Sequence, residues 1–300
     1  IQNRGEDKQR RLMEWGWGST TWMHPRGMMD AGDPTRELFE KYRFQNHVSS
    51  MFVRYEDELF PNLPAGRPRF DALRNARKFT PEMLESIERQ AYEALKDVPT
   101  NLCPVVAFSN EEESSPIVNG AEDGGVEYGK AQFAFYKGAK RANPGFQVAP
   151  THGTSGWSKL RGRKAMDQYL NAANLNGFKY DAVCVHPYGN VDGGSLGRND
   201  AAAEIDHMRE LLVKHGYDPV KTPLYMSECW NVPVALVPSW GCDGNQDAYP
   251  NGKTGYDFGN REWQSACQVA RMYLIYLKYW PQVRCVHCWM DPMIDAAIQP

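Results

Sequence analysis

Apolar runs of strand length alternate with amphipathic segments of helix length along almost all of this 300-residue chain, and that alternation restricts the fold more than any other feature. A strand, a crossover helix and a second strand in the same sheet form a parallel pair with a right-handed connection. Seven strand-length runs are readable, at 17–23, 47–55, 103–110, 145–150, 180–189, 222–231 and 283–289. Apolar spacing predicts helices over 34–42, 80–96, 127–141 and 163–174, one capped by Asn199 or Asp200 and stopped at Gly216, and one from Asn260 through Tyr279. Thr80-Pro81 is an N-cap followed by proline at the first helical position. The inward faces are Met83, Leu84, Ile87, Ala91, Ala94 and Leu95; Met166, Tyr169, Leu170 and Ala173; and Ile205, Met208, Leu211 and Leu212. Residues 6–15 read as the end of a further helix closed by Gly16, and residues 57–79 as an irregular connection with a short helix near Asp71 to Arg77.

The expected fold class is α/β: a (β/α)8 barrel occupying residues 1–300 as a single catalytic domain, without its first strand and last helix in this chain and so truncated at both ends. A doubly wound sheet is the competing architecture, but no glycine-rich phosphate loop stands at a strand-to-helix turn.

Charge and cysteine usage narrow the function classes. The net charge is −3 with dispersed Lys and Arg, so there is no basic field for nucleic acid. An uncharged polymer suits this balance, and nine Trp supply faces that can stack on sugar rings. The seven cysteines, at 103, 184, 229, 242, 267, 285 and 288, have no disulfide-framework spacing and read mostly as free buried thiols, with a Cys229 to Cys242 bridge left open. Cys285 and Cys288 fall on opposite faces of an extended strand and have no second pair to complete a zinc site. No apolar stretch approaches the ~20 residues of a membrane span. No signal peptide is visible, but the chain opens at Ile1, which leaves room for a removed upstream segment.

In a parallel barrel the C-terminal ends of all strands share one face, so residues at those ends converge whatever their separation in sequence. The converging set here is Trp22 and His24, Arg54, Asn110 and Glu111, His152, His186 and Tyr188, Glu228 and Trp230, and His287 and Trp289. Two of the strands end in glutamate. Paired carboxylates are the machinery of glycoside hydrolysis, one protonating the leaving oxygen and the other attacking the anomeric carbon.

On Ser109-Asn110-Glu111, on Ser227-Glu228-Cys229-Trp230-Asn231, on His186-Pro187-Tyr188 and on Trp289, the chain resembles the clan of retaining barrel glycoside hydrolases that includes β-galactosidases and cellulases. Within it, the order and spacing of these motifs over residues 80–291 are most like family 39 β-xylosidases or the agarase-like families. That clan carries its acid/base in an Asn-Glu pair ending its fourth strand and its nucleophile in a Glu ending its seventh. The resemblance implies Glu111 as acid/base and Glu228 as nucleophile. It implies Asn110 on the sugar 2-hydroxyl, and a Tyr188 hydroxyl with an arginine, Arg26 or Arg54, supporting Glu228. Trp289 would floor the reacting subsite. His152, His186, Trp22 and Trp230 would complete the sugar-binding set, with Trp157, Trp240 and the 231–259 loop toward flanking subsites. It further implies a carbohydrate substrate, no cofactor, further domains of a larger chain, and a secreted or periplasmic setting.

Two other classes compete. Strand-end histidines His24, His152 and His186, with Asp291, fit a metal-dependent barrel amidohydrolase, although Glu111 stands where that class usually has a bridging lysine. A barrel that holds glycan without turning it over, as a module of a larger assembly, is the third reading. The intact glutamate pair argues against it.

Overall fold

The computed structural model describes residues 19–21, 34–43, 45–51, 60–64, 68, 72, 78–114, 116–119, 121–150, 159–187, 201–229 and 272–288. They fall into two compact units, residues 1–152 with 161–184, and residues 153–160 with 185–300.

In the first unit the elements are β1 (Ser19–Thr21), α1 (Pro34–Tyr42), β2 (Gln45–Met51), α2 (Pro81–Leu95), β3 (Val105–Phe108), a 3-10 turn (Glu112–Ser114), α3 (Pro116–Asn119), α4 (Gly124–Ala142), β4 (Gln147–Ala149) and most of α5 (Lys159–Leu175). The sheet runs β1-β2-β3-β4, every pair parallel. β3 lies in the middle, with Met51 beside Phe108 on one flank and Ala107 beside Ala149 on the other. All four β3 residues are buried, as expected of a parallel strand covered on both faces.

α2 begins where its sequence says it should. The Thr80 hydroxyl accepts the Met83 backbone N–H at 3.3 Å, and Pro81 occupies the first turn. Its buried face, Met83, Ile87, Ala91 and Leu95, packs with Val106, Phe108, Phe135, Phe146 and Val148 in one core. Leu84 and Ala94 pack at its margin. α4 starts at Gly124, three residues ahead of the expected Glu127, because its two leading glycines make close contacts that a side chain would block. A Cβ on Gly124 would meet the Ile117 carbonyl oxygen at 2.3 Å, and the Gly125 N–H donates to Gln168 Oε1 at 2.8 Å. α5 closes at Gly177, whose φ of 70° is open to glycine at little cost.

The second unit holds the sheet β5-β6-β7, with β5 (Val183–Val185) at the unit boundary, β6 (Leu224–Cys229) parallel to β7 (Val283–Cys288), α6 (Ala201–Lys214) and a helical segment over residues 272–277. α6 buries Ile205, Met208, Leu211 and Leu212 and ends at Gly216, φ 73°. Gln282 ties the base of this unit together. Its side chain accepts from Arg209 Nε at 2.9 Å and donates to the Pro219 carbonyl at 2.6 Å, while its backbone carbonyl accepts the Leu224 N–H at 2.8 Å.

Each of the seven described strands overlaps one of the seven runs expected. The described strand at the 47–55 run is Gln45–Met51, which starts two residues early, and that at the 180–189 run is Val183–Val185, followed by a bridge at His186. The helix over 6–15, the short helix near Asp71 to Arg77, the 231–259 loop and the Asn260 helix start lie outside the described residues, apart from Ala72, which is helical. Cys103, Cys184 and Cys285 are buried thiols outside any disulfide. No helix among the described residues is long and apolar enough to cross a membrane.

Candidate active site

β3 delivers the first glutamate. The expected strand over 103–110 ends at Phe108, because Ser109 turns the backbone into the left-handed region with φ 59°. Asn110 follows, and Glu111 is again left-handed, φ 51°. Such conformations cost non-glycine residues of order 1–3 kcal/mol each and collect at functional sites. The turn is anchored on both sides. Upstream, the Phe108 ring packs on Tyr128 and Phe135, with centroids 5.6 Å away in each case. Downstream, Glu113 is 2% exposed within the 3-10 turn.

This turn assigns the three consecutive glutamates to different surroundings. Glu113 points into the core, Glu112 accepts a hydrogen bond from the Ser109 hydroxyl, and Glu111 is half-buried at the C-terminal edge of the parallel sheet. Beside Glu111, the Asn110 Oδ1 is buried and has no hydrogen-bond partner. A buried acceptor in that condition is costly unless something donates to it. The Ser109 to Glu112 contact was missed in sequence, although Ser-x-x-Glu is a recognisable side-chain pairing at the start of a helical turn. The nearby Tyr169 ring, 5.8 Å from Tyr128, was expected only as core. Its hydroxyl is pushed well above the usual phenol range, first by burial and then by the negative charge of Glu113 and Glu112.

In the second unit, Glu228 is the penultimate residue of β6, and its description extends to the backbone only. Leu224 and Met226 before it are buried, and the Ser227 hydroxyl donates to the Val185 carbonyl at 3.5 Å. Between Met226 and Cys229 the register against β7 shifts by one residue: Met226 lies beside Val286 and Cys229 beside Cys288. An irregularity of this kind is common next to active sites. Here it brackets Glu228. His186, just past β5, is fully buried, which suits holding neighbouring side chains better than touching a sugar. His287, on β7, has Nδ1 3.5 Å from the Cys285 sulfur.

The remaining expected site residues, Trp22, His24, Arg26, Arg54, His152, Trp157, Tyr188, Trp230, Trp240, Trp289 and Asp291, lie outside the described residues. Among the described residues no group of three or more His, Cys, Asp and Glu could hold a metal ion.

No family model matches the chain, and no curated protein matches it. Solved structures do. The chain is similar to the native xylanase 10B from Thermotoga maritima, with a TM-score of 0.55 and 15% identity, covering 96% of this chain and 79% of that one. It is similar to a glucosidase from Croceicoccus marinus, with a TM-score of 0.51, 12% identity and coverage of 84% and 44%. It is also similar to BuGH86, solved in complex with neoagarooctaose, with a TM-score of 0.51, 12% identity and coverage of 91% and 53%. The likeness is one of fold, that of barrel glycosidases, and it agrees with the alternating helices and parallel strands seen here. The chain spans about half the length of the last two proteins.

Proposed function

We propose that this chain is the catalytic domain of a retaining glycoside hydrolase that cleaves a β-linked oligo- or polysaccharide, with Glu228 as nucleophile and Glu111 as acid/base. One observation carries the reading. At the C-terminal edge of a parallel sheet, in a chain with the fold of barrel glycosidases, a half-buried glutamate stands beside a buried asparagine oxygen that has nothing to accept from. A sugar hydroxyl is the kind of donor that would complete it.

The chemistry proceeds in two displacements. Glu228 attacks the anomeric carbon as the glycosidic bond breaks, while Glu111 gives its proton to the departing oxygen. A covalent glycosyl ester on Glu228 results. Glu111, now ionised, takes a proton from water, and the water oxygen displaces Glu228 from the face that the leaving group vacated, opposite Glu228, with net retention. Asn110 holds the sugar 2-hydroxyl, in a contact that tightens as positive charge develops on the ring. Tyr188 and an arginine, Arg26 or Arg54, support the ionised Glu228, and Trp289 floors the subsite with His152, Trp22 and Trp230 around it. The order of these motifs favours a family 39 or agarase-like specificity within the barrel glycosidases.

Product stereochemistry tests the reading. Proton NMR of fresh hydrolysate should show the β-anomer first. Glu228→Ala should lose turnover, and azide should restore it on an activated aryl glycoside while giving an α-glycosyl azide. First appearance of the α-anomer from the wild type would contradict the mechanism.

A further inference from the structure

We infer that Glu112, acting through Ser109, is a positioning residue that holds Glu111 at the edge of the site; the functional half of this inference rests on the glycosidase reading. The stretch from Ser109 to Glu112 contains two non-glycine residues in the left-handed region, Ser109 at φ 59° and Glu111 at φ 51°. Conformations of this kind persist only where the surroundings over-determine them. Here the surroundings are identifiable. The Ser109 hydroxyl donates to the Glu112 carboxylate, so one side-chain bond spans both strained residues and closes the turn with Glu111 inside it. The two ends of the turn cannot drift, because Phe108 is locked among Tyr128 and Phe135 and Glu113 is sunk in the core.

The consequence is directional. With both ends fixed and the middle clamped, the Glu111 Cα–Cβ vector has one setting. Glu113 faces inward and Glu112 is engaged with Ser109, so Glu111 is the glutamate of the run presented half-buried at the sheet edge. Without the clamp, Ser109 and Glu111 can relax toward negative φ, which swings the Glu111 carboxyl away from the leaving-group oxygen while leaving the fold in place.

Two measurements on the whole chain test this. The first needs no substrate. Glycine tolerates left-handed φ, so Glu111→Gly should raise the thermal unfolding midpoint of the wild type by about 2–4 °C. In a Glu112→Ala background, where the turn has already relaxed, the same change should raise it by less than half as much. Equal gains in the two backgrounds, or no gain in the wild type, would overturn the clamp.

The second compares 2,4-dinitrophenyl with 4-methylphenyl β-glycosides of glucose, galactose and xylose. Glu112→Ala should keep kcat/KM for the dinitrophenyl compounds, whose first step needs no protonation, and lose about tenfold or more in kcat/KM on the methylphenyl ones, part of the range general acid catalysis contributes. Glu112→Gln should retain both, since its amide oxygen still accepts the Ser109 hydroxyl. Equal impairment on both leaving groups overturns the positioning role. A wild type inert on every glycoside would count against the glycosidase reading, and the midpoint comparison would still decide the clamp.

Discussion

Tyr169 is fully buried, and its hydroxyl has no hydrogen-bond partner, an arrangement that costs about 1–3 kcal/mol. Tyr169→Phe should therefore stabilise the protein at neutral pH by about 1 kcal/mol, read from urea denaturation. The pH dependence has a definite sign. Burial, then the charge of Glu113 and Glu112, raises the folded-state pKa above 10.0, so the unfolded chain loses this proton first. The stability is intact below pH 10.0 and declines as pH rises beyond it. Tyr169→Phe should flatten that alkaline decline, and an unchanged slope would show that another group causes it. At the proposed acid/base, Glu111→Ala should spare the first step for activated aryl glycosides and slow natural glycosides by about 10² to 10⁴. The same selectivity from Glu112→Gln would move the acid/base to Glu112. Sequence placed a glutamate at this strand end, but the left-handed backbone that separates Glu111 from Glu112 and Glu113 was not legible, because neither Ser nor Glu favours positive φ.

Helix boundaries were legible where the chain announces them and hidden where packing sets them. Thr80-Pro81 and Gly216 mark their helix ends in sequence, and Thr80→Ala should cost about 1 kcal/mol through the lost cap. Gly124 and Gly125 lie ahead of the helix expected over 127–141, yet they start α4, because their missing side chains admit the Ile117 carbonyl and the Gln168 amide. The contact between α2 and α4 depends on the same property. A Cβ on Gly138 would lie 2.3 Å from the Glu88 carbonyl oxygen and 2.7 Å from the Ala91 Cβ. Gly138→Ala should force the two helices apart and cost about 1–3 kcal/mol, measured by chemical denaturation. An unchanged midpoint would mean that the helices slide freely. Glu88, which pairs with Lys137 and with Arg141 at 3.4 Å across this contact, reinforces it only weakly, since such exposed pairs are worth about 0–1 kcal/mol.

At the scale of the molecule, the period of the strands and helices carried the fold expectation, and the likeness to barrel glycosidases agrees with it. Site chemistry was less legible. Strand-end residues declare their type but not their aim, and the one-residue register shift that brackets Glu228 leaves no mark in the sequence. The account predicts that in a crystal structure the Glu111 and Glu228 carboxyl groups stand about 5–5.5 Å apart, the separation of a retaining pair. Roughly 9 Å would require inversion. It also predicts that a chelator leaves activity unchanged, whereas loss of activity restored by zinc would favour the metal reading on His24, His152 and His186. The most direct measurement is intact-mass and peptide analysis after incubation with 2-deoxy-2-fluoro glycosides of glucose, galactose and xylose bearing a dinitrophenyl leaving group. The account predicts one added fluorosugar, on Glu228. A label on any other residue, or none from any sugar on a chain that turns over the matching substrate, would contradict it.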